Sequence, residues 1–171
     1  MGLTPLEGLI MGTRCGDIDP AIIFHLMDEG QMSAETINQT LNRESGLLGI
    51  SGVGSDVRDL LKAVSEGNPQ AALALNMFTY RVKQYIGKYA AVLGGLDALI
   101  FTAGIGENAS SIRAAICENL EFLGVHLDAE KNQSSEMEKA IHQEDAPVKL
   151  LVIPTNEELM IARDTLRLIE G

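Results

Sequence analysis

Apolar residues recur at helical spacing along most of the chain, and two short stretches break that rhythm with continuous apolar runs. After Asp19-Pro20, the pattern Ile22, Ile23, Leu26, Met27 runs to Gly30, which predicts a helix with an N-cap, a proline at its first position and a glycine stop. Ser33 opens a second helix through Ile37 and Leu41. A glycine-rich passage, "GLLGISGVGS", follows, and then Asp56 caps a helix bearing Leu60, Leu61 and Val64 that ends at Gly67. Asn68-Pro69 starts the longest helix, whose apolar face of Ala72, Leu75, Met77, Phe78, Val82, Ile86, Tyr89 and Leu93 reaches Gly94-Gly95. His25, Met27, Met77 and Met160 are expected to pack into this framework.

The two exceptions read as buried strands of a parallel sheet: "ALIFTAG" and "VKLLVIP". The first leads into a helix, "ASSIRAAICENLEFLG", and the second into a helix from Thr155 to Ile169. Thr155 and Glu158 have the T-x-x-E spacing of a capping box. Between Val125 and Ala146 the pattern is polar; a turn near Asp128 and either a weak strand or a helix around Ala140 fit it. Two strands do not make a stable sheet alone. The expectation is a helix-rich α/β chain of one domain with an incomplete sheet, the later part of a longer protein, with a sheet edge left open to a second chain.

Composition narrows the classes. The 171 residues carry 13 Lys and Arg against 24 Asp and Glu, a formal charge of -11. That balance disfavours nucleic acid as a partner, because phosphate neutralisation needs a basic face. Cys15 and Cys117 lie far apart with no CxxC, which suits reduced thiols. No apolar segment nears the roughly 20 residues of a membrane span, so the expected location is cytoplasmic.

Four strings could carry chemistry. In "TAGIGENASS" a strand, a glycine turn and a helix start would present backbone N–H groups to an anion, with Gly104 and Gly106 allowing close approach. A turn serving only chain reversal is the alternative; so is a dinucleotide fingerprint, G-x-G-x-x-A, with Asp128 as the ribose acid of a Rossmann-like NAD module. In "VIPTNEEL" Glu157 could point at a ligand or its metal, or simply favour a positive helix end. Arg14, in "MGTRCGDIDP", could reach a phosphoryl group or be a surface charge. Asp17 and Asp19 read as turn and cap residues, and in "GSDVRDL" Asp56 and Arg58 read by default as a cap and a solvated charge.

Taken in order and spacing, these strings resemble the C-terminal part of the acetate kinase family, in the superfamily of acetate and sugar kinases, heat-shock protein 70 and actin. The resemblance covers essentially the whole chain and is weakest between Gln133 and Val148; propionate and butyrate kinases share much of it. It implies part of an actin-like, ribonuclease H-like ATPase lobe and Mg²⁺-dependent phosphoryl transfer between ATP and acetate, giving acetyl phosphate and ADP. By that resemblance Arg14 stabilises the transferring phosphoryl group, and Asp56, Val57 and Arg58 contact adenosine. Gly104, Ile105, Gly106, Glu107 and Asn108 hold the nucleotide, and Glu157 is associated with Mg²⁺. Cys15 stands where the family usually has serine. The resemblance further implies a homodimer, to which the helix from Pro69 to Leu93 would contribute. It also implies that the chain lacks the other lobe and the acetate pocket, and so is inactive alone.

Overall fold

Short polar side chains set most of the helix starts. In the computed structural model, which describes residues 2–170, the chain divides into two compact units, Met1–Val92 and Leu93–Gly171. The first begins with a loop and then α1 (Ala21–Asp28), where Asp19 Oδ1 accepts the Ala21 N–H at 2.9 Å. None of α1 is buried, and His25 and Met27 lie exposed. Their expected packing role is therefore corrected: helical spacing marks an apolar face without supplying anything to cover it.

Ser33 Oγ accepts the Thr36 N–H and starts α2 (Ala34–Gln39), which runs on through a π-helical turn, Thr40–Glu44. The passage read as a glycine-rich connection contains a helix, α3 (Gly46–Ser51). Glycines stand at both ends, Gly46 at φ +64° and the capping Gly52 at φ +65°, Gly49 lies within the helix, and Leu47 is buried. Asp56 caps α4 (Val57–Ser65) through the Arg58 N–H at 2.8 Å, and buries Val57, Leu60 and Ala63. Asn68 Oδ1 caps α5 (Pro69–Leu93) through the N–H groups of Gln70 and Ala71. Ala71, Ala74, Leu75, Phe78 and Ile86 form its buried side, while Leu73, Met77 and Tyr80 line an exposed stripe at helical spacing. Met77, expected in the core, is on that stripe.

The second unit holds a small mixed sheet. β1 (Ala98–Phe101) pairs in parallel with β3 (Lys149–Val152), and β2 (Lys139–Ala140) pairs with β3 in antiparallel, giving the order β1-β3-β2. Leu150 and Val152 of the central strand are buried. β1, read as a buried strand, buries only Phe101, and Ile100 is 53% exposed. It stands at the sheet edge, as expected of an incomplete sheet.

From β1 the chain forms α6 (Ala103–Asn108) and α7 (Ser110–Cys117). The helix expected to continue toward Gly124 stops at Cys117, where Glu118 turns extended and Asn119 adopts φ +62°. Leu123 and Gly124 close a short 3₁₀ turn, Glu121–Leu123. Asp128 begins α8 (Ala129–Gln133) by accepting the N–H groups of Glu130 and Lys131. Its carboxylate is thus occupied in a helix cap, and the next strand parallel to β1 is β3, well beyond Asp128, so Asp128 does not end the second strand as the ribose acid of a dinucleotide fold does.

The last helix, α9 (Glu157–Glu170), is exposed throughout, including Met160, whose expected core placement is corrected. The capping box does not form. Asn156 Oδ1 accepts the Leu159 N–H, and the Thr155 hydroxyl donates elsewhere, to Glu107.

Gly46 separates two kinds of glycine constraint. A Cβ there would fall 2.1 Å from the Met11 carbonyl oxygen and 2.7 Å from that of Arg14, whereas one on Gly52 meets nothing within 4 Å. Gly52→Ala is expected to cost only the left-handed strain, about 1–2 kcal/mol. Gly46→Ala should cost clearly more, read as a larger drop in urea midpoint for the same m-value.

Candidate functional site

Arg14 sits in a loop held by backbone bonds from several directions. Cys15 N–H donates to Leu41 O, Ser45 N–H to Thr13 O, Leu47 N–H to Met11 O and Leu48 N–H to Gly12 O, all between 2.9 and 3.0 Å. Asp17 closes the loop: its carboxylate accepts the Gly8 N–H at 2.7 Å and the Tyr85 hydroxyl at 2.6 Å, and its carbonyl accepts Arg81 Nη2 at 3.2 Å. The Tyr85 hydrogen bond holds the Asp17 carboxyl below its ordinary pKa. Among the described residues the Arg14 guanidinium makes one hydrogen bond, Nη1 to Met11 Sδ at 3.7 Å.

The neighbouring stretch starts α4. A Cβ on Gly12 would lie 3.0 Å from the Ser55 carbonyl oxygen, so the loops bearing Arg14 and Asp56 touch. Arg58 folds back on Asp56, with Nε 3.1 Å from each carboxylate oxygen, and this pair pushes the Asp56 pKa down to about 2. The arginine side chain is 87% exposed, so the pair is one that a ligand can open cheaply. Val57 is buried.

In the second unit, Gly104 to Asn108 forms most of α6, entered from the extended Thr102 through Ala103 at φ +58°. The two glycines differ. A Cβ at Gly104 meets nothing within 4 Å, while one at Gly106 would press within 3.2 Å of the Phe101 backbone. Gly104 thus faces open space and Gly106 serves the packing of the turn on β1. Ile105 is half-buried, and Asn108 Nδ2 donates back to Gly104 O at 2.9 Å.

Glu107 spends its carboxylate inside the protein. Its Oε1 accepts the Thr155 N–H at 2.9 Å and the Thr155 hydroxyl at 3.1 Å, and the backbone bond leads in lowering its pKa. The turn is thereby joined to the segment that opens α9, where Glu157 lies two residues on. The Glu157 side chain is exposed and engages no described partner. Among the described residues no three His, Cys, Asp or Glu gather to hold a metal ion. A single carboxylate nevertheless suits Mg²⁺, which takes one or two from protein and the rest from phosphates and water.

Two residues of this region carried no signal in the linear pattern. Arg113 on α7 is 2% exposed, and Asn132 on α8 is 3% exposed. Arg113 donates to Gly106 O, Glu107 O and Asn132 O, and through Nε to Asn132 Oδ1, each at 2.8 Å. Asn132 Nδ2 donates to Ser110 O at 2.9 Å. A polar cleft of about 260 Å³ adjoins them, lined in part by Asn108, Ser110 and Lys139. Only the apolar neighbours Ile112 and Ile116, which bracket Arg113 on the buried face, hint at its burial.

Comparison with known proteins adds a family. A sequence model described as the Acetokinase family matches residues 1–163. The acetate kinase of Clostridium novyi (strain NT) is 59% identical over 170 residues, which is 99% of this chain and 42% of that protein. Among solved structures, Porphyromonas gingivalis acetate kinase aligns with a TM-score of 0.94 and 44% identity, covering 99% of this chain and 43% of that one. A propionate kinase from Francisella tularensis aligns with a TM-score of 0.88 and 45% identity, covering 95% and 41%. The chain spans about 42% of the length of the curated relatives it matches.

The Glu107 bridge has a pH signature. The folded pKa of Glu107 lies below its ordinary 4.5. Its stabilising contribution is therefore complete above about pH 4.5 and is lost as pH falls through the lowered folded value. In chemical denaturation followed from pH 6 to pH 3, Glu107→Gln should remove this part of the acid sensitivity, leaving the variant's curve flatter than the wild type's.

Proposed function

The chain belongs to the acetokinase family, and from that premise we propose that it carries the nucleotide and Mg²⁺ side of an acetate kinase active site. The observation that carries this reading is the Glu107–Thr155 bridge, which couples the Gly104–Asn108 turn to the start of the helix bearing Glu157. A nucleotide turn and a metal carboxylate must be adjacent if both address one polyphosphate.

In the proposed reaction an acetate oxygen bonds to the γ-phosphorus of ATP while the bond to the bridging oxygen breaks, and ADP leaves with the electron pair. Such transfer asks chiefly for positioning and for charge neutralisation on the equatorial oxygens. Arg14 supplies a planar donor set on a fixed loop, with its N–H groups uncommitted apart from the Met11 contact. Gly104 presents backbone without side-chain obstruction. Asp56, Val57 and Arg58 border adenosine, with Arg58 released from Asp56 on binding. Glu157 would hold Mg²⁺, which when bound would supply charge neutralisation at the phosphates. In this reading the 171 residues supply the nucleotide and metal groups of the site.

A propionate-directed version keeps every one of these roles and changes only the acyl group; the similarity to the Francisella propionate kinase favours keeping it in view. The exposed stripe Leu73, Met77 and Tyr80 on α5 supports a homodimer.

Thermal unfolding with Mg-ADP, and NADH as the control ligand, tests the reading. At 100 times its dissociation constant a ligand stabilises the folded state by about 2.7 kcal/mol. A rise in Tm with Mg-ADP alone is expected, and Glu157→Gln should abolish the part of it that depends on Mg²⁺. A cooperative melt unmoved by Mg-ADP would overturn the proposal.

A further inference from the structure

A buried arginine normally sits against a carboxylate, and Arg113 does not. Among the described residues no acid pairs with it, and its four hydrogen bonds end on three backbone carbonyls and one side-chain amide. Two of those carbonyls, Gly106 and Glu107, belong to the turn itself, and the other two acceptors belong to Asn132. Asn132 is held in turn by Ser110 O. A guanidinium is a rigid planar fork, so the oxygens it ties lie at fixed positions relative to one another. Burial also makes each bond costly to leave unmade.

We propose that Arg113, anchored by Asn132, is a positioning residue that fixes the Gly104–Asn108 turn in the shape that receives the phosphates of an adenine nucleotide. The inference rests on the nucleotide reading above. It assigns a role that acts through the turn: one guanidinium nitrogen holds Gly106 O and Glu107 O together, which fixes the backbone between the open position at Gly104 and the Glu107 carboxylate. The same bonds orient the Glu107 backbone from which the carboxylate reaches Thr155. Lysine cannot replace this, because one ammonium does not span two turn carbonyls and both Asn132 acceptors.

The test titrates the 171-residue chain with Mg-ADP and with adenosine, comparing wild type, Arg113→Lys and Asn132→Ala, each first shown to melt cooperatively. Both variants should bind Mg-ADP about tenfold or more weakly, as expected for lost charge-assisted bonds, and adenosine within about twofold of wild type. Equal Mg-ADP affinity in a folded variant, or an equal loss for both ligands, would overturn the positioning role. Failure of the wild type to bind Mg-ADP would instead sink the nucleotide reading. Amide hydrogen exchange without ligand decides the role in that case: residues 104–108 should exchange faster in the variants while β3 is unchanged, and identical exchange would overturn it. Should Arg113→Lys not fold, Asn132→Ala carries both readouts.

Discussion

The second unit depends on a positive charge removed from water. Arg113 is 2% exposed, burial lowers its pKa, and arginine stays charged in proteins all the same. A charge in that position must meet oxygen, and here it meets carbonyls of two chain segments, the turn and α8. The turn, α7 and α8 are thereby triangulated around one group. Its cost is offset only while all three stay in place, which makes their arrangement cooperative rather than a sum of separate contacts.

The first unit uses the opposite charge in a comparable way. The Asp17 carboxylate gathers the Gly8 N–H and the Tyr85 hydroxyl, so the loop bearing Arg14 is fastened to α5 as well as to the backbone of Leu41 and of Ser45 to Leu48. The Arg14 guanidinium can then stay uncommitted because the loop does not rely on it for support. A permanently charged group left with only a sulfur contact is affordable where other residues carry the structural work.

What could be read from the linear pattern was whatever depends on near neighbours. The Asp56 and Asn68 caps, the turn at Asp128 and the β1 and β3 runs all follow from interactions within a few residues, and each is found. The capping box at Thr155 failed because its hydroxyl is claimed by Glu107, 48 residues away. α3 leaves little mark in the linear pattern because glycine lowers helix propensity, and the segment holds Gly46 and Gly49 with Gly52 at its end. Met27, Met77 and Met160 were misplaced because spacing defines a face without defining its cover. Arg113 was invisible for the same reason as the Thr155 bond, since acceptors on a backbone leave no mark in residue identity. The motif strings led to the family by resemblance, and their spacing alone left the NAD module open until Asp128 was found capping α8.

The two glycines of the Gly104-x-Gly106 string look equivalent in a motif and are not equivalent in the fold. Gly106 is demanded by the Phe101 backbone against which it lies, whereas the space beside Gly104 is empty of protein. A side chain at the first would press on β1 in every folded molecule; a Cβ at the second would press on no protein atom. Under the proposed nucleotide role, folding and recognition constrain separate letters of one short turn: Gly106 through its clearance from β1, Gly104 through the ligand alone.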